Sequence, residues 1–226
     1  MVRITKTPDE RRSELITTAR KFFFTKGYEQ TTVSDIVKTI GVAQGTFYYY
    51  FESKKDVLDA IFEELINEQQ AILRAIVEDD SLSAIPKWTK AIRTSNNWKT
   101  DLKDEMIELI RLKIMRENLI LREKYRTLSR QKISLVFAEI IYQGIEEGVF
   151  ATEYPQETAE IVIAIGKSIR SFLTDILLNP DKYDDAIALA RRKFNAVQEA
   201  MERVLGAAPG SLLLIDETQL EKWFDK

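Results

Sequence analysis

Apolar residues recur along most of this chain at the three-and-four spacing of amphipathic helices, and polar turn residues interrupt them at a few sharp points. Thr7-Pro8-Asp9-Glu10 predicts a helix start, with Thr as N-cap, Pro in the first turn and Glu three residues on closing a capping box. Leu15, Ile16, Ala19, Phe22 and Phe23 continue it as one stripe to about Lys26, where Gly27 is the expected stop. A short helix after Thr32 turns Val33, Ile36, Val37 and Ile40 inward and breaks at Gly41. Another runs from about Gln44 to Tyr50. Ser53-Lys54-Lys55-Asp56 caps a long helix through Val57, Leu58, Ile61, Phe62, Leu65 and Ile66. Beyond it the pattern predicts helices near 83–98, 102–116, 120–147, 155–178 and 184–205, with breaks at Asn96-Asn97, after Arg116, and at Gly148, Asn179-Pro180 and Gly206. The tail opens on a Pro-Gly turn and is expected to end in a short amphipathic helix.

The segment Gln44–Phe51 does not follow the core pattern. At 100° per residue Phe47 and Phe51 fall on one side of the wheel, and Gly45, Thr46 and Tyr49 on the other. Gln44, Tyr48 and Tyr50 flank them. Three consecutive tyrosines point three ways, so burying them all would require three satisfied hydroxyls. A helix entering a DNA groove gives each hydroxyl a phosphate or base edge. Gln44 is suited to bidentate pairing with adenine and the Thr46 methyl to contact with thymine, while Gly45 allows close backbone approach. Thr32 and Lys54, each at a helix start, are placed for phosphate contacts that fix register. The competing reading is a structural three-helix subdomain with exposed tyrosines.

Composition narrows the chemistry. With 226 residues, 45% hydrophobic and 31% charged but only 8 Gly and 5 Pro, the chain suits an all-α protein with a sizeable core. It has neither Cys nor His, which excludes disulfides, thiolate or imidazole metal sites and a His general base. Neither a cofactor nor a metal is expected. A helical enzyme would have to rely on carboxylates such as Glu105 and Glu108 or on lysine, and these show no metal-ligand spacing. Net charge is -3, yet residues 1–60 carry ten Lys/Arg against eight Asp/Glu, leaving the acidic excess to the remainder. MVRITKTPDERR lacks an apolar signal core and no long apolar run follows, so a cytoplasmic location is expected. The basic residues between Arg111 and Lys132 alternate with Glu117 and Glu123, as on a solvated helix face; an anionic ligand or second nucleic-acid surface is the competing reading.

Residues 11–62, through ARKFFFTKGYEQTTVSDI and KTIGVAQGTFYYYFESKKDVL, resemble the DNA-binding domain of the tetracycline-repressor (TetR/AcrR) family. The resemblance covers about a quarter of the chain. It places the groove-reading helix at Ala43–Tyr50 and the phosphate contacts at Thr32, Tyr48 and Lys54. Tyr50 stands where His is commonest in the family, and Ala43 where Ser is commonest, removing a hydroxyl. The resemblance implies an all-α fold: a helix-turn-helix domain over 1–52 joined by a long helix to a ligand-binding and dimerisation domain over 53–226. The implied partners are a palindromic double-stranded operator, a second copy of the chain and a largely apolar small-molecule effector.

In such a protein the effector pocket would be enclosed by the helices bearing Trp88, Trp98, Met106, Ile110, Ile114, Phe137, Ile141 and Phe172; ordinary core is the other reading of the same residues. The last two long helices would pair with their mates through Ile163, Gly166 and Arg170 and through Phe194, Val197 and Met201. Packing within one chain would produce the same stripes. The function implied is a repressor released by its ligand. An activator or a ligand-independent regulator on the same fold is the alternative, and a helical enzyme a more distant one.

Overall fold

The computed structural model describes residues 6–101, 119–178 and 182–215. Every regular element among them is helical: α1 (Pro8–Thr25), α2 (Val33–Ile40), α3 (Gln44–Tyr50), α4 (Lys54–Val77), α5 (Ala84–Asp101), α6 (Leu119–Glu146), α7 (Pro155–Leu178) and α8 (Ala186–Leu205). The expected helix over 102–116 and the short helix at the end of the tail lie outside the described residues, as do Met106, Ile110 and Ile114. No described helix is long and apolar enough to cross a membrane.

The described residues divide into two compact units, the first comprising those up to Asn67 with 119–125, the second Glu68–Asp101 with those from Arg126 onward. The first unit is built around α1–α3 and the start of α4. Its interior holds Leu15, Ile16, Ala19 and Phe23 of α1, Ile36 and Val37 of α2, Phe47, and Val57, Leu58 and Ile61 of α4. Local chemistry sets the helix starts. Thr7 and Glu10 form the reciprocal capping box expected from their spacing. Thr32 and Asp35 form a second one at α2, and Ser53 exchanges hydrogen bonds with Asp56 at the start of α4. Gly41 ends α2 at φ 70, a left-handed conformation that an L side chain strains to adopt, and thereby turns the chain into α3.

In the second unit α8 packs along α7, and a continuous core joins them to α5 and α6. Arg74 of α4 is paired with Glu139 of α6 at 2.6 Å. The Lys87 ammonium donates to the Val77 carbonyl at 2.6 Å, closing the end of α4. Glu147 accepts from the Ala84 N–H at 2.8 Å and Gln143 donates to the Leu82 carbonyl at 3.0 Å, so the end of α6 fixes the loop before α5. Gly144 is required by packing, because a Cβ there would sit 2.1 Å from the Phe150 ring.

One predicted boundary is corrected. Asn96-Asn97 does not end α5, which continues to Asp101. Asn favours helix ends when its side chain competes for nearby backbone groups. Here the Asn96 amide instead donates to the Leu214 carbonyl at 2.9 Å, leaving the helical ladder intact. That carbonyl belongs to a non-helical strap, residues 207–215, whose Leu212 and Leu214 are buried in the unit's core. The strap is anchored by Glu202, a buried carboxylate accepting from the Gly210 N–H at 3.0 Å and the Leu212 N–H at 3.1 Å. Burial works against its charged form, but these N–H donors and the Gln198 amide outweigh it and hold its pKa below the ordinary glutamate value.

Candidate nucleic-acid interface

The seven-residue α3 has one buried side and one open side. Phe47 is completely buried and Phe51, just past the helix end, nearly so; their ring centroids are 5.8 Å apart. Together they anchor the helix to the first unit's core. Tyr49 is 79% exposed and Tyr48 53%, while Gln44 and Gly45 are open to solvent. Thr46 and Tyr50 are half-buried. Tyr50 holds Tyr49 edge-on at a centroid separation of 4.8 Å, and Phe47 packs edge-on to Tyr48 at 5.4 Å. Large aromatic surface is thus presented outward on rings braced from behind, a form suited to contact rather than to stability. Ala43 is exposed and occupies the N-cap of α3 with no side-chain bond, so the first N–H groups of the helix have no hydroxyl cap.

Thr32 is exposed at the start of α2. Its hydroxyl accepts from the Asp35 N–H at 3.1 Å, and its own N–H donates to the Asp35 carboxylate at 2.9 Å. Lys26 bonds the same carboxylate at 2.6 Å. The Lys26 bond, then those to the Thr32 backbone and hydroxyl, pull the Asp35 pKa down to about 2. This knot was not singled out from the sequence, although the Thr-x-x-Asp spacing at 32–35 is the signal that reveals it.

Lys54, at the start of α4, is half-buried against the turn between α1 and α2. Its ammonium donates to the carbonyls of Tyr28 at 2.6 Å and Thr31 at 3.0 Å, and lies 4.1 Å from the centre of the Tyr28 ring. Burial lowers its pKa below the ordinary lysine value, with the charge of Glu29 offsetting part of the shift. The Tyr28 hydroxyl is pushed up to about 12, chiefly by burial and further by Glu29, Asp56 and Asp59.

In the second unit, Trp88, Phe137 and Ile141 come together in one buried cluster. Trp88 lies 5.3 Å from Phe137 and 6.0 Å from Phe150 between ring centroids. The Trp88 indole N–H is buried and has no hydrogen-bond partner among the described residues. Phe172 packs against the same core, whereas Trp98 is half-buried near the end of α5. Of the residues considered for subunit pairing, Phe194, Val197 and Met201 are buried in the chain's own core. An α8 lying along α7 covers that stripe: a Cβ on Gly166 would stand 3.2 Å from the Met201 methyl carbon. Ile163 is half-buried against the core, and Arg170 lies on α7 with its side chain outside the described set. Among the described residues, the large apolar side chains those two helices leave exposed are Ile161 and Ile187.

Residues 15–61 match the family described as "Bacterial regulatory proteins, tetR family", and residues 113–193 match "Tetracyclin repressor-like, C-terminal domain". Among curated proteins, the chain is 27% identical over 172 residues to the "Fatty acid metabolism regulator protein" of Bacillus subtilis (strain 168), covering 76% of this chain and 86% of that protein. Among solved structures, the fold resembles the fatty acid degradation regulator FadR from Bacillus halodurans, with TM-score 0.60, 23% identity and coverage of 89% and 97%. It also resembles a TetR-family transcriptional regulator from Mesorhizobium loti MAFF303099, with TM-score 0.64, 16% identity and coverage of 88% and 98%. This family consists of regulators rather than enzymes, which sets aside the carboxylate chemistry considered for Glu105 and Glu108. Helix-turn-helix geometry, all-α architecture and both matched segments agree: the chain belongs to the TetR family of ligand-responsive, DNA-binding bacterial transcription regulators.

Proposed function

We propose that this regulator is a repressor that binds a palindromic operator as a homodimer and is released by a small, largely apolar effector. The observation that carries the reading is the sidedness of α3, with Phe47 buried and Tyr48 and Tyr49 open on the same short helix. Gln44, Gly45, Thr46 and Tyr49 form the reading face. Thr32, Tyr48 and Lys54 meet phosphates on either side, with Ala43 and Tyr50 at the margins. A single seven-residue helix spans too few base pairs for useful specificity, so two copies on half-sites about 34 Å apart are required. The exposed positions of α7 and α8, Ile161 and Ile187 among them, are the surface offered to the second copy.

The effector is assigned to the second unit, against Trp88, Phe137, Ile141 and Phe172, with Trp98 as a further candidate. The name of the Bacillus subtilis relative, a fatty acid metabolism regulator, points to an acyl-chain compound. Because α4 runs from the first unit into the second, a ligand that favours one setting of α4 over another changes the spacing of the two reading helices. The test is to select duplexes from a random pool with the purified chain and then add fatty acids of graded length. Selection of a two-fold symmetric site, and its release by an acyl chain but not by a short-chain acid, is the expected result. Asymmetric selection or binding by a monomer would remove the operator model, and binding insensitive to every acyl compound would remove the effector class.

A further inference from the structure

One face of α5 carries two buried donors that the fold does not use. Trp88 is 1% exposed and Ser95 6%, and neither the Trp88 Nε1–H nor the Ser95 hydroxyl has a hydrogen-bond partner among the described residues. At a separation of seven residues they lie within about 20° of one another on the helix wheel and about 10 Å apart along its axis. Ala91, fully buried, stands between them on the same side. Nearby polar groups of α5 are employed: the Lys87 ammonium donates to the Val77 carbonyl and the Asn96 amide to the Leu214 carbonyl. Ser134, also buried in a helix, donates to the Arg130 carbonyl four residues back, the usual way to satisfy a helical serine. Ser95 makes no such bond. A buried polar group without a partner costs stability, and folded proteins keep few of them, so two on one helix face call for a reason.

We propose that Trp88 and Ser95 are hydrogen-bonding residues of the effector site, and that the effector is an acyl chain bearing a second oxygen function along its length. The proposal rests on the assignment of the effector to the second unit. An indole N–H donates and cannot accept, so it takes an acceptor such as an acyl oxygen. A serine hydroxyl both donates and accepts, which suits a hydroxyl on the ligand. Two helical turns are too long a step for one carboxylate to serve both donors, so the two oxygen functions are separated by an apolar stretch that lies along Ala91. The cost of the unused donors in the free protein is relieved when the ligand binds. Removing one of them therefore moves stability and affinity in opposite directions, which a purely structural residue does not do.

Fatty acids from octanoate to hexadecanoate and their ω-hydroxy counterparts are titrated by calorimetry into the full-length wild type, Ser95→Ala and Trp88→Phe. At the best-fitting length the wild type is expected to prefer the ω-hydroxy acid by about tenfold, the effect of one added hydrogen bond. Ser95→Ala should lose that preference while its denaturant midpoint, without ligand, equals or exceeds that of wild type. Trp88→Phe should bind both acids about tenfold or more weakly. If Trp88→Phe does not fold, NMR of the wild type still decides, because the Trp88 indole proton should move downfield when the acid binds. An unmoved indole signal, a preference that survives in Ser95→Ala, or a lower midpoint in that variant would overturn the proposal. Binding of both series by the wild type without preference would overturn this proposal alone. No binding of any of these acids would overturn the acyl-effector reading together with it.

Discussion

The aromatic residues of α3 and those around Trp88 have opposite fates. On α3, Phe47 is fully buried while Tyr48 and Tyr49, its immediate neighbours, are 53% and 79% exposed. In the second unit Trp88 is 1% exposed and sits among Phe137 and Phe150. The first group has more aromatic surface than its small core can use, and the excess marks an interface. The second group is consumed by packing, so its composition alone does not separate an effector site from a core. Function is therefore easiest to see where the fold gives a residue no structural reason to be there.

The sharpest way to break this contrast is to exchange the consequences of substitution. Trp88→Ala is expected to destabilise the protein by about 3–5 kcal/mol in denaturant unfolding, the usual cost of emptying a large buried site. Tyr49→Ala should leave the unfolding midpoint within about 0.5 kcal/mol of wild type, as for an exposed position. It should instead weaken binding to a selected duplex in mobility-shift titrations. If Tyr49→Ala unfolded the protein and Trp88→Ala did not, the division between contact and core would be reversed.

A smaller effect is expected at the strap. Glu202→Ala removes the acceptor of two backbone N–H groups and should cost about 2–4 kcal/mol, measured by the same unfolding experiment. Its pKa is held below the ordinary value, so its charge contributes stability above the unfolded-state pKa of about 4.3, and that contribution is lost as pH falls through the lower folded value. The same sign applies at α2. Asp35 falls from 3.8 to about 2, so its contribution is complete above pH 3.8 and disappears between there and about pH 2. Asp35→Asn should flatten the acid limb of the first unit's unfolding in that window, read from amide signals of residues 32–36. An unaltered acid limb would show that the Lys26–Asp35–Thr32 knot has no part in it.

The sequence made local features readable and non-local ones not. Capping boxes fixed the starts of α1 and α2, and Gly41 the stop of α2, because each acts within four residues of itself. The wheel separated Phe47 and Phe51 from Tyr49 because a short helix has only one side to bury. The carbonyl cage of Lys54 was hidden, since it joins groups 23 and 26 residues apart. So was the continuation of α5 through Asn96, whose partner is 118 residues away. The stripe of Phe194, Val197 and Met201 has the same period whether it faces α7 or a second chain, and only packing showed which helix covers it.

The most direct test of α3 as the reading helix is the base preference of Gln44→Ala. Binding of wild type and variant is compared across a selected operator in which each base pair is changed in turn, at one fixed salt concentration. The variant should fold normally and lose about 1–3 kcal/mol of discrimination at one or two base pairs, with the others ranked as before. Equal preference at every position would contradict a base-reading role for this face of α3.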